Sequence, residues 1–242
     1  MSWARRGAAA GLAALLLGAV PAAARADDGA RQSGTFTWTS VRPGAPTGFS
    51  MAVDFFDPAD PNAKPHTLKT LIIGEPAGAI TDTTALTQCK ATDAELMLEG
   101  PAACPADSRV GGGTLVSDTG STNDSFPRYV TNDVTQFNNQ DEVIGVAVSR
   151  TDPPVTAVSR SKFEGTTSTT EIPVFPASPP PEPFTAFRTL RLSAPAIVRK
   201  GRVYARTPPS CPASRSWMIE MTFVYYDGVS QTVVSHSPCR RG

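Results

Sequence analysis

The proline content sets the strongest limit on what this chain can fold into. Proline occupies 23 of the 242 positions, about twice its average share in proteins. Six prolines fall between Pro173 and Pro183, and three of them are consecutive. Because proline lacks a backbone N–H and breaks helices, the chain cannot be mostly helical, and this segment cannot lie inside a sheet. It is either a crossover within one domain or a linker between two units, and we expect the crossover because the part that follows is short for a domain.

The remaining sequence has the period-two alternation of β-strands. Residues 143–148 are continuously apolar, which predicts a central strand covered on both faces. Many short strands with turn residues and no alternating helices predict an all-β fold, an antiparallel β-sandwich of jelly-roll or immunoglobulin-like type, as one domain over residues 27–242. The other predicted strands cover residues 34–41, 50–56, 68–73, 114–117, 155–163 and 187–192.

A hairpin is predicted near the C-terminus. Residues 216–226 alternate, so that Tyr226 lies on the face opposite the apolar series, beside the turn pair Asp227-Gly228. If Tyr226 pairs with Val229, Cys239 lies opposite Ser216. The apolar series, which should face the core, is Trp217, Ile219, Met221, Phe223 and Tyr225.

Four cysteines predict two disulfides in an exported protein. Three pairings are open, and the neighbour pairing of Cys89 with Cys104 and of Cys211 with Cys239 is the most economical. The hairpin supports it, since it brings Cys239 back towards Cys211. Between the first pair, Thr92 and Glu95 have the spacing of a capping box and predict a short helix in the 89–104 loop. No C-x-x-C occurs, so the sequence gives no reason to assign a zinc site.

The first 26 residues have the pattern of a secretory signal peptide. Arg5 and Arg6 precede the apolar run 7–20, and a small-x-small site precedes Asp27, the expected new N-terminus. A twin-arginine signal is the alternative. Cleavage leaves a net charge of −3 from a balanced chain, and this excludes a strongly basic nucleic-acid binder. We expect a secreted protein, extracellular or at the cell surface, with no transmembrane anchor after cleavage.

Catalytic signatures are missing from the sequence. Ser159 and Lys162 match S-x-x-K, but on a strand they lie on opposite faces, so we assign no catalytic residue. His236 is the acid–base candidate of a spatially assembled Ser/His/Asp site. Acidic clusters at 54–60, 118–124 and 138–142 lack the spacing of a calcium loop, so we assign no metal and no cofactor, and a calcium-stabilised adhesive module stays an alternative.

Two aromatic residues are the candidate binding residues. Trp38 and Tyr226 lie on predicted strands, and an exposed aromatic ring can stack on a sugar. We expect a non-enzymatic exported protein that binds a cell-wall polysaccharide or another extracellular protein. A secreted hydrolase that uses His236 is the alternative.

The two cysteine frames carry a resemblance. The first is Cys-x14-Cys-Pro-x-x-Ser-Arg-Val-Gly from Cys89, and the second runs from Cys211-Pro212 through Trp217 and Tyr226-Asp227-Gly228 to Pro238-Cys239. Together with the alanine-rich leader, the chain resembles a group of uncharacterised secreted, disulfide-containing proteins of high-GC Gram-positive bacteria. The resemblance implies the compartment and the disulfide pairing, and it implies no activity.

Overall fold

The computed structural model describes residues 29–123 and 126–240. The predicted signal peptide over residues 1–26, the start at Asp27 and the acidic residue Asp124 lie outside the described residues. One α-helix, α1, covers Asp93–Glu99, and three 3₁₀ helices cover Thr83–Ala85, Gly100–Ala103 and Ala106–Ser108. The strands are β1 (Gln32–Trp38), β2 (Phe49–Phe55), β3 (Leu68–Gly74), β4 (Ile80–Thr81), β5 (Arg109–Asp118), β6 (Tyr129–Asn139), β7 (Glu142–Ser149), β8 (Thr156–Glu164), β9 (Thr167–Glu171), β10 (Ala186–Ala194), β11 (Val198–Arg199), β12 (Arg202–Val203), β13 (Ala205–Arg206), β14 (Ser216–Tyr225) and β15 (Ser230–Pro238).

Eleven of these strands form one antiparallel sheet in the order β1-β2-β10-β5-β6-β7-β8-β9-β3-β14-β15. The predicted antiparallel all-β class is therefore confirmed. The sheet is nearly closed, because its first and last strands lie beside each other. The short strands form two separate pairs, β11 with β12 and β4 with β13. Since β10, β14 and β15 follow the proline-rich segment and still belong to the large sheet, that segment joins strands of one sheet.

Side chains rather than a backbone ladder join the two ends of the sheet. The Ser235 hydroxyl accepts from the Phe36 N–H at 2.9 Å and donates to the Phe36 carbonyl at 2.8 Å. The Ser237 hydroxyl accepts from the Trp38 N–H at 3.0 Å, and Gln231 contacts the backbone of residues 29 and 31. These contacts satisfy edge groups of β1 that would otherwise be open to another strand.

The proline-rich segment is fastened to the rest of the chain by a buried lysine. Lys64 is 3% exposed. Its ammonium donates to the carbonyls of Ser178 at 2.7 Å, Glu182 at 2.5 Å and Phe184 at 2.8 Å. Burial lowers the pKa of Lys64, partly offset by the nearby Glu182 and Asp118 carboxylates. The segment cannot form a backbone ladder, so this ammonium supplies the hydrogen bonds that order it.

The predicted hairpin exists, but its predicted register is wrong by one residue. Ser216 pairs with Pro238 rather than with Cys239, and Val224 pairs with Ser230. The turn has three residues, because the Tyr225 N–H donates to the Val229 carbonyl and Gly228 takes a positive φ of 85°. The shift decides which side chains of β15 face inwards: those of Val233, Ser235 and Ser237 do, while Val234 is 45% exposed.

The predicted core face of β14 and the predicted disulfides are confirmed. Trp217, Ile219, Met221, Phe223 and Tyr225 are all at most 2% exposed. Disulfides join Cys89 to Cys104 and Cys211 to Cys239.

Helix α1 packs against the outer face of the sheet, where it makes a second apolar cluster. Leu96 is fully buried there against Ile144 and Val146 of β7. The predicted capping box is present: Thr92 accepts from the Glu95 N–H, and the Glu95 carboxylate accepts from the Thr92 N–H. The strand predicted at residues 143–148 is therefore covered by apolar packing on its outer face. Its inner face borders a cavity.

The strands approach each other closely at Gly111–Gly113. The register between β5 and β6 shifts between Arg109 and Gly111. A Cβ on Gly113 would lie 1.8 Å from the Arg191 carbonyl oxygen of β10, which no side chain tolerates. The glycines are therefore required by the close approach of β5 to its neighbouring strands.

Candidate functional site: an internal cavity

The inner face of the sheet encloses a cavity of about 870 Å³. It forms because large side chains fill only one side of the enclosed space. The core residues of β1, β2, β3, β10 and β14 are large, whereas β7 to β9 turn small side chains inwards. Strand pairing holds the backbone in place, so small inward residues leave open volume that the sheet cannot remove by collapsing. The small residues that line the cavity include Gly145, Ala147, Ala157, Ser159, Ser161, Ser168 and Thr170.

The cavity wall is apolar on one side and polar on the other. The polar side carries hydroxyl and amide groups from neighbouring strands, including Asn132, Gln136, Ser149, Ser159, Ser161 and Thr170. The apolar side carries Phe36, Trp38, Met51, Leu71, Ile73, Leu115, Leu190 and Leu192. Small-molecule sites have a predominantly apolar lining with a few placed polar groups and volumes of about 300–1,000 Å³, so the cavity has both the size and the lining of such a site.

One end of the cavity is closed by a small apolar cluster. Leu86, Val110 and Tyr204 pack together there, and Val110 and Tyr204 line the cavity. Tyr204 is 7% exposed, and its hydroxyl has no hydrogen-bond partner among the described residues. Burial raises the pKa of this hydroxyl. The buried Oε1 of Gln136, another lining residue, is also without a partner within the described ranges.

Glu75 places a carboxyl group in the wall near this closed end. It follows Leu71 and Ile73 at period two on the inner face of β3, and the Trp38 side chain hydrogen-bonds to it. Burial raises the pKa of Glu75 to about 7, and the Trp38 hydrogen bond lowers it by less. Glu75 also borders a shallow outer pocket with Met218 and Glu220, so it is partly rather than fully buried. A carboxyl with this pKa changes charge near neutral pH.

The other end of the cavity reaches solvent through an apolar rim. Phe126, Val155 and Phe175 line the cavity and are 53%, 49% and 37% exposed. The strand directions place them far from Tyr204, since β8 begins beside Val155 and ends at the closed end. Exposed apolar groups at the rim of a cavity are typical of ligand-binding grooves.

The two predicted binding aromatics lie in different places. Trp38 is 7% exposed, so it is not the surface platform expected from the sequence. Its ring packs edge-on against Trp217 at 5.2 Å, and the hydrophobic core accounts for its burial. Tyr226 is 38% exposed on the outer surface, where its ring lies 5.3 Å from that of Phe184. Trp38 therefore belongs to the cavity wall, and Tyr226 does not.

The predicted acid–base residue lies on the outer face of the sheet. His236 is an exposed residue of β15 and is paired with Met218. Within the described ranges, no serine hydroxyl and no carboxylate hydrogen-bonds to its ring. Ser159 and Lys162 lie on opposite faces of β8, and Ser159 borders the cavity. The structure therefore does not bring the candidate catalytic side chains together.

The other histidine belongs to a polar cluster outside the cavity. His66 Nδ1 lies 2.9 Å from Glu182 Oε1 and 3.6 Å from Asp227 Oδ2, a grouping with the donor atoms of a metal site. Both carboxylates already have partners, since Asp227 pairs with Arg31 at 2.7 Å and Glu182 accepts from the Thr67 N–H at 2.9 Å. The Arg31 guanidinium would repel a cation at Asp227. The contacts of Glu182 with His66 and with the Thr67 N–H instead hold the proline-rich segment against the loop before β3.

The acidic clusters that could have bound calcium contact arginines. The fully buried Asp118 pairs with Arg128 at 3.2 Å and with Arg188 at 3.3 Å. Asp54 pairs with Arg191, and Glu142 pairs with Arg160. These carboxylates neutralise buried or partly buried guanidinium groups, which accounts for their clustering.

No protein-family model matches this sequence, and neither the comparison with curated proteins nor that with solved structures finds a match. Among the described residues, no helix is long and apolar enough to cross a membrane.

Proposed function

We propose that this protein is an exported, non-enzymatic binding protein that holds a small amphipathic molecule inside its sheet. The observation that carries the proposal is the cavity of about 870 Å³, with its apolar side and its hydroxyl- and amide-bearing side. In this proposal the near-closed sheet acts as a barrel around the ligand, the alternative to the two-layer sandwich expected from the sequence. The apolar rim at Phe126, Val155 and Phe175 supplies the entrance.

The chemistry of the wall favours binding over catalysis. The groups that face the cavity are mainly hydroxyls, amides and aliphatic chains, and within the described residues the charged ones are Glu75, Arg150 and Asp152. Arg150 lies at the entrance and pairs with Asp133 at 2.7 Å. A carboxyl group can hold a ligand group, but a hydrolase also needs a nucleophile with its base or a group that stabilises the developing charge.

A titration with a neutral apolar dye tests this proposal. We expect N-phenyl-1-naphthylamine to bind residues 27–242 with saturable, one-to-one fluorescence enhancement. Ala147→Phe should weaken binding by about tenfold or more, because Ala147 lies beside Ala157 in the cavity wall and a phenyl group there fills the space. Ala94→Phe on the exposed face of α1 is the matched control and should bind normally. Absence of saturable binding by the wild-type protein would refute the proposal.

Binding of an envelope polysaccharide or of an extracellular protein stays a separate prediction. The exposed Tyr226, beside Phe184, is the feature that supports it. Co-sedimentation with purified cell walls tests it. Saturable pelleting that is lost in Tyr226→Ala supports an outer binding surface. If the protein does not pellet, the predicted binding to a cell-wall polysaccharide is wrong.

A further inference from the structure

We propose that the ligand carries a basic amine, and that its ammonium group binds Glu75 at the closed end of the cavity. This inference rests on the proposed function and names the chemical class of its ligand. Such a molecule would have an ammonium head at the Tyr204 end and an apolar body that extends towards Phe126 and Phe175.

The first support is that Glu75 has no cationic partner in the wall. Among the described residues that line the cavity, Arg150 is the one base. It lies at the opposite end, and its guanidinium holds Asp133 through two contacts, at 2.7 and 3.0 Å. A partly buried carboxylate without a counter-ion loses solvation that a bound cation would restore.

The second support is an excess of hydrogen-bond acceptors at the same end. The buried Oε1 of Gln136 and the Tyr204 hydroxyl both lack a partner among the described residues. The Trp38 side chain hydrogen-bonds to the Glu75 carboxyl. An ammonium group has three N–H donors and no acceptor, so one that binds Glu75 has further donors for acceptors at this end of the cavity. At this end of the cavity, a carboxylate ligand would meet the like charge of Glu75 and no charged donor among the described lining residues.

The third support is the shape of the wall between the two ends. The inner side chains of β7 run from Val143 near the closed end to Ser149 near the rim, a distance of about 20 Å at about 3.3 Å per residue. The apolar side continues along this path through Leu115, Leu190 and Phe187. An aliphatic or aromatic body attached to the amine would bury its surface along this path.

Displacement of the bound dye by three ligands of equal chain length tests the inference. N-phenyl-1-naphthylamine is bound first, and n-decylamine, n-decanol and decanoate are then titrated at pH 8. We expect n-decylamine to displace the dye at about tenfold lower concentration than n-decanol, the ratio expected for one additional charge-assisted hydrogen bond. Decanoate should be the weakest of the three.

Two variants test whether Glu75 causes the preference for the amine over the alcohol. In Glu75→Gln the ratio of amine to alcohol affinity should fall to about one. Glu220→Gln removes an exposed carboxylate on β14, beside Gly74, and should keep the wild-type ratio. Because the ratio is formed within each variant, a general loss of stability does not imitate the effect.

The outcomes separate this inference from the proposed function. Dye binding with equal displacement by the three ligands overturns the amine inference and leaves the cavity as a binding site. An amine preference that persists in Glu75→Gln also overturns it. If the dye does not bind the wild-type protein at all, the proposed function itself fails. The wild-type comparison needs no variant, so it decides the matter even if Glu75→Gln does not fold.

Discussion

Replacing Glu75 by glutamine should change how the stability of the protein depends on pH. Glutamine has nearly the same shape as glutamate and can still accept the hydrogen bond from Trp38, but it does not ionise. Burial raises the pKa of Glu75 from its usual 4.5 to about 7 in the folded protein. The unfolded chain releases this proton near pH 4.5, while the folded protein keeps it until about pH 7.

The sign and the size of the effect follow from this difference. Below pH 4.5 the carboxyl is protonated in both states and contributes nothing to the pH dependence. Between pH 4.5 and 7 the unfolded state gains from ionisation and the folded state does not, so wild-type stability falls as the pH rises. The full difference corresponds to about 3 kcal/mol. Water in the cavity and the outer pocket reduces this penalty, and we expect about 1–3 kcal/mol.

Urea unfolding followed by tryptophan fluorescence from pH 4 to 8.5 measures this effect. Subtracting the wild-type free energy of unfolding from that of Glu75→Gln cancels the other titrating groups. The difference should rise in favour of the variant between pH 5 and 7 and then level off. Glu220→Gln, which removes an exposed carboxylate, is the matched control and should give a nearly flat difference. A flat difference for Glu75→Gln as well would refute the buried position of this carboxyl.

Three further perturbations test other parts of the structure. Lys64→Met leaves three carbonyls of the proline-rich segment without their donor, so the free energy of unfolding should fall by about 2–4 kcal/mol. Proteinase K should then cut within residues 173–183, and unchanged resistance to the protease would contradict this role of Lys64. Replacing Cys211 and Cys239 together by serine should cost about 3 kcal/mol of stability, measured by urea unfolding, because the bond closes a 28-residue separation; equal stability would argue against that bond. The double variant Phe126→Ser/Phe175→Ser should slow dye association in stopped-flow experiments more than it weakens equilibrium binding, and an unchanged association rate would mean that the dye enters elsewhere.

Local patterns in the sequence were enough to predict several elements. The strict alternation in β14 predicts which of its side chains are buried, because successive strand residues point to opposite faces. The spacing of Thr92 and Glu95 predicts helix α1, since the two residues satisfy each other's backbone N–H groups. The hairpin register was not predictable with the same certainty, because it depends on whether Asp227-Gly228 forms a two-residue turn or part of a three-residue one.

The cavity was missed because it depends on which strands become neighbours. Ser159 and Gln136 lie on strands that meet only through β7, and no local pattern states that pairing. A signal was nevertheless present. In β7 the outer positions Ile144 and Val146 are fully buried apolar residues, while the alternate positions are glycine and alanine. When one face of a strand is apolar and the other carries only small residues, and the next strand repeats this pattern, the small face indicates the wall of a cavity rather than a packed core.

Glu75 and Tyr204 were not predictable as site residues for a related reason. Glu75 comes just after β3 in a Gly-Glu-Pro sequence that is typical of a turn, and its inward direction follows only from its place after Leu71 and Ile73. Tyr204 lies in an irregular segment between two short strands. Its burial comes from contacts with Leu86 and Val110, which are distant in the sequence.

A crystal structure of residues 27–242 grown with N-phenyl-1-naphthylamine tests the central claim most directly. We predict that the dye lies inside the sheet, between Ala147 and Ala157 on one side and Leu115 and Leu190 on the other, in a cavity of about 870 Å³. A dye bound only on the outer surface, or an interior filled by protein side chains, would contradict the claim that this protein binds its ligand within the sheet.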